Sequence, residues 1–192
     1  MKNGIKLFVG LGNVGEKYER TRHNAGFWWV DAVAEQTNSK LTLEPKMFGM
    51  VGKLSTHQDK WLLKPTTFMN LSGKAVAALA NYYKISPAEI LVIHDELDLP
   101  AGSIKLKFGG GHGGHNGLKD IHSALGTSDY WRLRVGIGHP GDRNEVINFV
   151  LKPPLKDEQT RIDNSLDEST TILGYLLAGE FDNAMLKLHT KK

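Results

Sequence analysis

LFVGLGNVGEKYERTRHNAGFW, residues 7 to 28, joins a short apolar run and three glycines to a charged loop and the start of a helical pattern. Gly10, Gly12 and Gly15 have the G-x-G-x-x-G spacing of a dinucleotide-binding turn. Such a turn needs a helix that opens at the third glycine, so that its N–H groups face the pyrophosphate. Here the charged stretch EKYERTR follows, and the pattern of a buried helix begins only at Ala25. The glycines therefore indicate a sharp turn after a strand rather than a nicotinamide or flavin site.

The length of 192 residues fits one domain, predicted over 1–192, with a helical C-terminal part at about 155–190. The absence of cysteine excludes disulfides and thiolate nucleophiles and suits a reducing compartment. Neither a signal-peptide pattern nor an apolar run near the roughly 20 residues of a membrane span is visible. We therefore expect a cytoplasmic protein with no membrane partner. The net charge of +3 is a mild basic bias.

Alternation of apolar and polar residues predicts strands, and helical spacing predicts helices, in an interleaved order. We expect the second and third predicted strands to form a hairpin with its turn at Gln58–Asp59. Interleaved strands and helices with such a hairpin favour an α/β/α sandwich around a mixed sheet. The predicted strands are residues 5–10, 47–57, 60–66, 90–93, 104–108 and 131–138, and the helices are residues 25–36, 71–84, 118–125 and the segments beyond 154.

His23 and Asp95 are the first candidates for chemistry. Asp95 follows the apolar run ILVIH, at a strand end where α/β folds gather catalytic groups. A carboxylate that accepts the Nδ1 hydrogen of an imidazole supports a general base. Because cysteine and a G-x-S-x-G elbow are both absent, such a pair would activate water. Two alternatives stay open: a surface or capping histidine, and a metal site built from Asp95, Glu96, Asp98, His94, His112, His115 and His139.

Amide side chains lie in glycine turns or at helix starts, namely Asn13, Asn70 and Asn116, and they suit an uncharged polar ligand such as an ester. Asn70 has an alternative reading as a helix N-cap. Asn116 and His115 belong to GGGHGGHNG, residues 109–117, which predicts either a flexible connection or a loop that closes on a ligand.

Basic side chains alternate on two predicted strands, at Lys105 and Lys107 and at Arg132 and Arg134. Alternation places each pair on one side of its strand, where neighbouring strands would form a patch of phosphate size. A solvated sheet face is the other interpretation, and spacing does not decide between the two.

Taken together, several long motifs in order resemble the bacterial peptidyl-tRNA hydrolase family. They are VGLGNVGEKYERTRHNAGFWWVD, KPTTFMNLSGKAV, ILVIHDELDLPAGSIKLKFGGGHGGHNGLKDI, RLRVGIGHPG and INFVLKPP, over roughly residues 7 to 154. The resemblance implies an enzyme that hydrolyses the ester between a peptide and the 3′-terminal ribose of tRNA. It implies no cofactor and no metal, and a monomer that recognises the acceptor stem and 3′ end of peptidyl-tRNA released from ribosomes.

Site roles follow from the same resemblance, position by position. His23 matches the general base, and Asp95 the carboxylate that orients it. Asn13, Asn70 and Asn116 match the asparagines of the cleft, of which we favour Asn70 for the developing oxyanion. The remaining matches are the substrate groove at Phe68, Met69 and His115, its loop at Tyr18, and a clamp on a tRNA phosphate at Lys107 and Arg134. The competing hypotheses are a metal-dependent hydrolase and a tRNA-binding protein without catalysis.

Overall fold

A seven-stranded mixed sheet forms the centre of the computed structural model, which describes residues 3–190. Met1, Lys2, Lys191 and Lys192, the ends of the predicted domain, lie outside the described residues. The strands are β1 (Leu7–Gly10), β2 (Thr42–Glu44), β3 (Gly49–Leu54), β4 (His57–Pro65), β5 (Ile90–Glu96), β6 (Ile104–Phe108) and β7 (Trp131–Gly136). The helices are α1 (Ala25–Gln36), α2 (Ser72–Tyr83), α3 (Asn116–Leu125), α4 (Val146–Val150), α5 (Lys156–Thr170), α6 (Leu173–Ala178) and α7 (Phe181–His189).

The sheet order is β2-β3-β4-β1-β5-β7-β6. The four central strands, β4, β1, β5 and β7, are parallel, whereas β2, β3 and β6 join antiparallel at the two sides. Because parallel strands end at the same edge, the segments that follow β1, β4 and β5 meet there. That edge is where the candidate residues from three distant parts of the chain converge.

Helices cover both faces of the sheet. One apolar cluster joins Phe8 and Leu91 to α1 and to the C-terminal helices, through residues such as Ile162 and Phe181. The other joins Val9 and other residues of the opposite face to α2 and α3. The predicted α/β/α sandwich around a mixed sheet is therefore confirmed. Within residues 3–190, no helix combines the length and the apolar character needed to cross a membrane.

Glycines at the β1–α1 junction allow close packing of a helix on a strand. A Cβ atom on Gly10 would lie 2.2 Å from the carbonyl oxygen of Gly26, and one on Gly26 would lie 2.3 Å from that of Ile93. Gly15 has φ 112° and precedes only a single 3-10 turn, Glu16–Tyr18. As expected, no α-helix opens at the third glycine, and α1 begins at Ala25.

The hairpin of β3 and β4 is confirmed, but the predicted turn at Gln58–Asp59 is wrong. The turn lies at Ser55 and Thr56, between the paired residues Leu54 and His57. The Ser55 N–H donates to the Ser39 hydroxyl oxygen over 3.0 Å, and the Ser55 hydroxyl donates to the carbonyl of Thr37. These contacts with the segment after α1 hold the turn three residues earlier than local composition indicates.

Candidate active site

Asp95 lies near the end of β5 and accepts hydrogen bonds from two histidines. His23 belongs to a one-turn 3-10 helix just before α1, and its Nδ1 lies 2.9 Å from Asp95 Oδ2. His115 precedes α3 on the other face of the sheet, and its Nε2 lies 2.8 Å from Asp95 Oδ1. Asp95 is 3% exposed. One buried carboxylate thus joins the segments that follow β1 and β6.

The tautomer of His115 follows from its role as the N-cap of α3. Its Nδ1 accepts the N–H groups of Gly117 and Leu118 over 3.1 and 3.3 Å. The neutral ring therefore carries its hydrogen on Nε2 and donates it to Asp95. Asp95 Oδ2 accepts the hydrogen of His23 Nδ1, so the neutral His23 ring has its lone pair on Nε2, which does not contact Asp95.

Charge in this group follows from burial and pairing. Burial alone would raise the pKa of Asp95, but the neighbouring imidazoles of His23 and His115 and the hydrogen bonds that they donate hold it well below the usual range. Burial alone would lower the pKa of His23, yet the nearby Asp95 charge and hydrogen bond leave it raised above the ordinary value of 6.5. Asp95 is therefore ionised, and His23 is a stronger base than an isolated histidine.

His94 lies beside the pair as a neutral ring. Its Nδ1 donates to the backbone oxygen of Asp95 over 2.8 Å, and its ring meets that of His115 edge-on at 5.2 Å between centroids. The pKa of His94 is lowered to about 3, mainly because the ring is buried and secondly because His115 lies beside it. His94 consequently packs against the site without serving as its base.

Two hydrogen bonds with the side chain of Asn24 hold the backbone of Asn13 in place. The Asn24 carboxamide accepts from the Asn13 N–H over 2.8 Å and donates to the Asn13 carbonyl over 2.9 Å. The Asn13 side-chain oxygen accepts the N–H of Met69 over 2.7 Å, which links the β1 loop to the segment before α2. Since that oxygen is occupied, the NH₂ group of Asn13 is available to a ligand.

The remaining polar candidates occupy the same edge of the sheet. Asn70 lies in a single 3-10 turn, Met69–Leu71, and does not cap α2, whose N-cap is Leu71. Asn70 and Phe68 are exposed, whereas Met69 is buried. Asn116 is the exposed first residue of α3, and Tyr18 ends the 3-10 turn after Gly15. The interpretation of Asn70 as an N-cap is therefore wrong.

The four basic residues of β6 and β7 divide into two roles. Arg132 is 2% exposed, and its guanidinium donates to the carbonyls of Gly110 and Gly111 over 2.6 Å each. It anchors the glycine segment and is not part of a solvated patch. Arg134 donates through Nε to Glu96 Oε1 over 2.8 Å, and no described residue accepts from its terminal nitrogens.

Lys107 is exposed and lies opposite Arg132 in the antiparallel register, while Lys105 lies opposite Arg134. Lys107 and Arg134 are therefore diagonal neighbours on one face of the sheet, and such neighbours have about 7–8 Å between their Cα atoms. That separation lets both reach one phosphate group with their long side chains.

Arg22 is a functional neighbour that the sequence interpretation missed. Its guanidinium donates to the carbonyl of Phe149 over 2.9 Å and to Glu158 over 3.2 Å, and it lies 3.8 Å from the Phe149 ring centroid. It thereby fixes the residue next to His23 to α4 and α5. A buried arginine in a charged loop gives no periodic signal, and its partners are more than 120 residues away.

A cleft of about 310 Å³ opens beside Asn13, between α1 and the β3–β4 hairpin. It is lined by Asn13, Asn24, Phe27, Trp28, Met50 and Pro65 among others, with the ion pair of Lys64 and Asp31, 2.7 Å, at its margin. The cleft reaches Asn24, the residue after His23. Neither His23, His115 nor Asp95 lines it, so this partly apolar space adjoins the histidines only through Asn13 and Asn24.

His23, Asp95 and His115 also form a cluster whose ligand atoms lie within 4.8 Å of one another. Two imidazoles and a carboxylate suit a transition-metal cation. Such an ion would have to replace both hydrogen bonds of Asp95. Of the metal ligands considered from sequence, Asp95 and His115 belong to this cluster. The others are outside it: Glu96, Asp98, His94, His112 and His139.

Comparisons with known proteins agree over nearly the whole chain. A family model described as peptidyl-tRNA hydrolase matches residues 7–192. A curated peptidyl-tRNA hydrolase from Methylobacillus flagellatus is 65% identical over 98% of each chain, and one from Neisseria meningitidis serogroup A is 56% identical over 100% of each. The crystal structure of the Acinetobacter baumannii peptidyl-tRNA hydrolase has a TM-score of 0.96 at 43% identity, covering 100% of this chain and 97% of that one.

Proposed function

Because the chain belongs to the peptidyl-tRNA hydrolase family, we propose that it cleaves its ester substrate with His23 as general base and water as nucleophile. Hydrolysis of peptidyl-tRNA is the function of that family, and the chain is a hydrolase acting on ester bonds. The observation that carries the proposal is the double hydrogen bond of Asp95. It directs the Nδ1 hydrogen of His23 to the carboxylate and leaves Nε2 with a lone pair.

In the proposed reaction, His23 Nε2 accepts a proton while the water oxygen attacks the ester carbonyl carbon. The ionised Asp95 stabilises the imidazolium that forms. The tetrahedral intermediate then collapses, the bond to the ribose 3′ oxygen breaks, and His23 returns its proton to that oxygen. The peptide leaves as a carboxylic acid and the tRNA leaves with a free 3′ end.

Amide donors complete the site. The NH₂ groups of Asn70 and Asn13 are the candidates for stabilising the oxyanion, and Asn70 remains the one that we favour. Asn13 is more rigid, because its oxygen is held by Met69. The cleft beside Asn13 is suited to the peptide, and the exposed Phe68 and Asn116 with the half-buried Tyr18 are suited to the adjoining 3′ end.

The tRNA acceptor stem docks, in this proposal, on the β6–β7 side of the sheet. Lys107 and the terminal nitrogens of Arg134 hold one backbone phosphate, which positions the stem without reading its sequence. We also propose that the protein acts as a monomer in the cytoplasm, where translation releases its substrate.

Turnover of a labelled N-acetyl-aminoacyl-tRNA by the purified protein, with and without excess chelator, tests this function. We expect full activity with chelator, and little or none on the control, the same aminoacyl-tRNA with a free amino group. Loss of activity that a divalent cation restores would instead support a metal-dependent hydrolase at His23, Asp95 and His115. Binding of tRNA without any turnover would identify a non-catalytic tRNA-binding protein.

A further inference from the structure

A second concavity lies at the opposite edge of the sheet from Lys107 and Arg134. It measures about 430 Å³ and is bounded by β2, β3 and the end of α2. We call it the α2 groove and define it by the six residues that matter for its chemistry: Lys40, Lys46, Lys53, Trp61, Tyr82 and Tyr83. None of them belongs to the proposed active site.

Aromatic rings form one wall of the α2 groove. Trp61 and Tyr83 are stacked with 4.1 Å between ring centroids, and Tyr82 meets Tyr83 edge-on at 4.8 Å. Tyr82 is 70% exposed and Tyr83 is 39% exposed. Large aromatic surface is seldom left in water without a partner, and these rings are already ordered by one another. The wall therefore offers preformed surface on which a planar group can stack.

Positive charge surrounds the rings. Lys40, Lys46 and Lys53 are exposed, and none of them makes an ion pair with any residue in the range 3–190. The Lys53 ammonium lies 5.2 Å from the Trp61 ring centroid. Among the described residues, Glu44 is the single acidic side chain in the lining. The groove thus complements an anion that also carries planar rings.

We propose that the α2 groove binds single-stranded RNA, with a base stacked on Tyr82 and phosphates held by the lysines. Lysines interleaved with exposed aromatic rings are the combination that tracks an unpaired strand without reading its sequence. The site is separate from the proposed active site, because α2 begins beside Asn70 and ends at Tyr83, about 18 Å away for its 12 residues. Hydrolysis of the ester does not depend on it.

Fluorescence anisotropy with a labelled oligouridylate tests the proposal on the full chain. Tyr82→Ala removes the exposed stacking surface, so we expect affinity to fall about tenfold. Lys53→Ala should lower the affinity and reduce the slope of log K against log salt by about 0.7. Glu44→Gln removes the repelling carboxylate and should raise the affinity, which a merely structural change would not do. Lys187→Ala, an exposed lysine on α7, is the matched control and should bind like wild type.

The same series in a Lys107→Ala background separates the groove from the β6–β7 side. The proposal holds if the effects of Tyr82→Ala and Glu44→Gln persist there in size and sign. It is overturned if Lys107→Ala abolishes oligouridylate binding while the groove variants leave it unchanged. It is also overturned if the groove variants change only the binding of an acidic polyglutamate peptide, which would indicate a protein partner.

Discussion

Replacing Asp95 with asparagine should disable the site by forcing His23 into the wrong tautomer. The carboxylate accepts from both histidines, whereas a carboxamide of the same shape has one accepting oxygen and one donating NH₂ group. His115 cannot adapt, because its Nδ1 accepts from two N–H groups of α3 and its hydrogen must stay on Nε2. The oxygen of the carboxamide therefore turns to His115, and its NH₂ group faces His23.

With a donor opposite Nδ1, the hydrogen of His23 moves to Nε2, the atom that should accept the proton of water. The equivalent change in a serine-protease triad costs about 10⁴-fold in kcat, so we expect a loss of about 10³- to 10⁴-fold for Asp95→Asn, or roughly 4–5.5 kcal/mol. Single-turnover hydrolysis of N-acetyl-aminoacyl-tRNA measures it, with thermal unfolding as the check on folding.

The double variant Asp95→Asn with His115→Ser gives the sharper outcome. Serine preserves an N-cap for α3 but is too short to bond the carboxamide as well. The carboxamide is then free to turn its oxygen to His23, so the double variant should recover at least about tenfold over Asp95→Asn alone. His115→Ser alone is the control for other losses. No recovery, or an Asp95→Asn variant within tenfold of wild type, would refute the tautomer argument.

Further predictions concern the pH profile, the fold and the clamp. Since the base must be neutral and Asp95 raises the pKa of His23, kcat/KM should fall as the pH drops through that raised pKa, and Asp95→Ala should move this acid limb to lower pH. An acid limb at the same pH in Asp95→Ala as in wild type would show that Asp95 does not raise the pKa of His23. Arg22→Met removes the hydrogen bonds of the guanidinium to the carbonyls of Phe149 and Lys152 and to Glu158, although each acceptor keeps a backbone donor. Urea unfolding should therefore show a loss of about 1–3 kcal/mol, and a loss under about 0.5 kcal/mol would contradict it. Lys107→Ala and Arg134→Ala should weaken tRNA binding and flatten its salt dependence, yet spare a minimal peptidyl-nucleotide ester; equal losses on both would contradict the clamp.

Local pattern was sufficient for most of the fold. The helix predicted over residues 25–36 is α1 with the same bounds, because its apolar spacing and its burial against β1 agree. The prediction of a turn at Gln58–Asp59 was wrong because Ser39 and Thr37 hold Ser55 in the turn instead. Such contacts between separate segments leave no local pattern in the sequence.

The residue types in the sequence predicted which side chains carry the chemistry better than they predicted which side chains hold the site in place. His23 and Asp95 were predicted as a pair, and they lie within hydrogen-bond distance. The double role of His115, as N-cap and as second donor to Asp95, depends on where α3 begins in space. Arg132 was grouped with Arg134 by alternation, but its burial under the glycine segment comes from the packing of β7 against the loop.

Hydrolysis of N-acetyl-aminoacyl-tRNA by His23→Ala, measured in single turnover at saturating enzyme, tests the central claim most directly. With the general base removed and the tRNA contacts intact, the rate constant should fall by about 10² to 10⁴, while tRNA affinity stays close to that of wild type. A rate within a few-fold of wild type would contradict the assignment of His23 as the base.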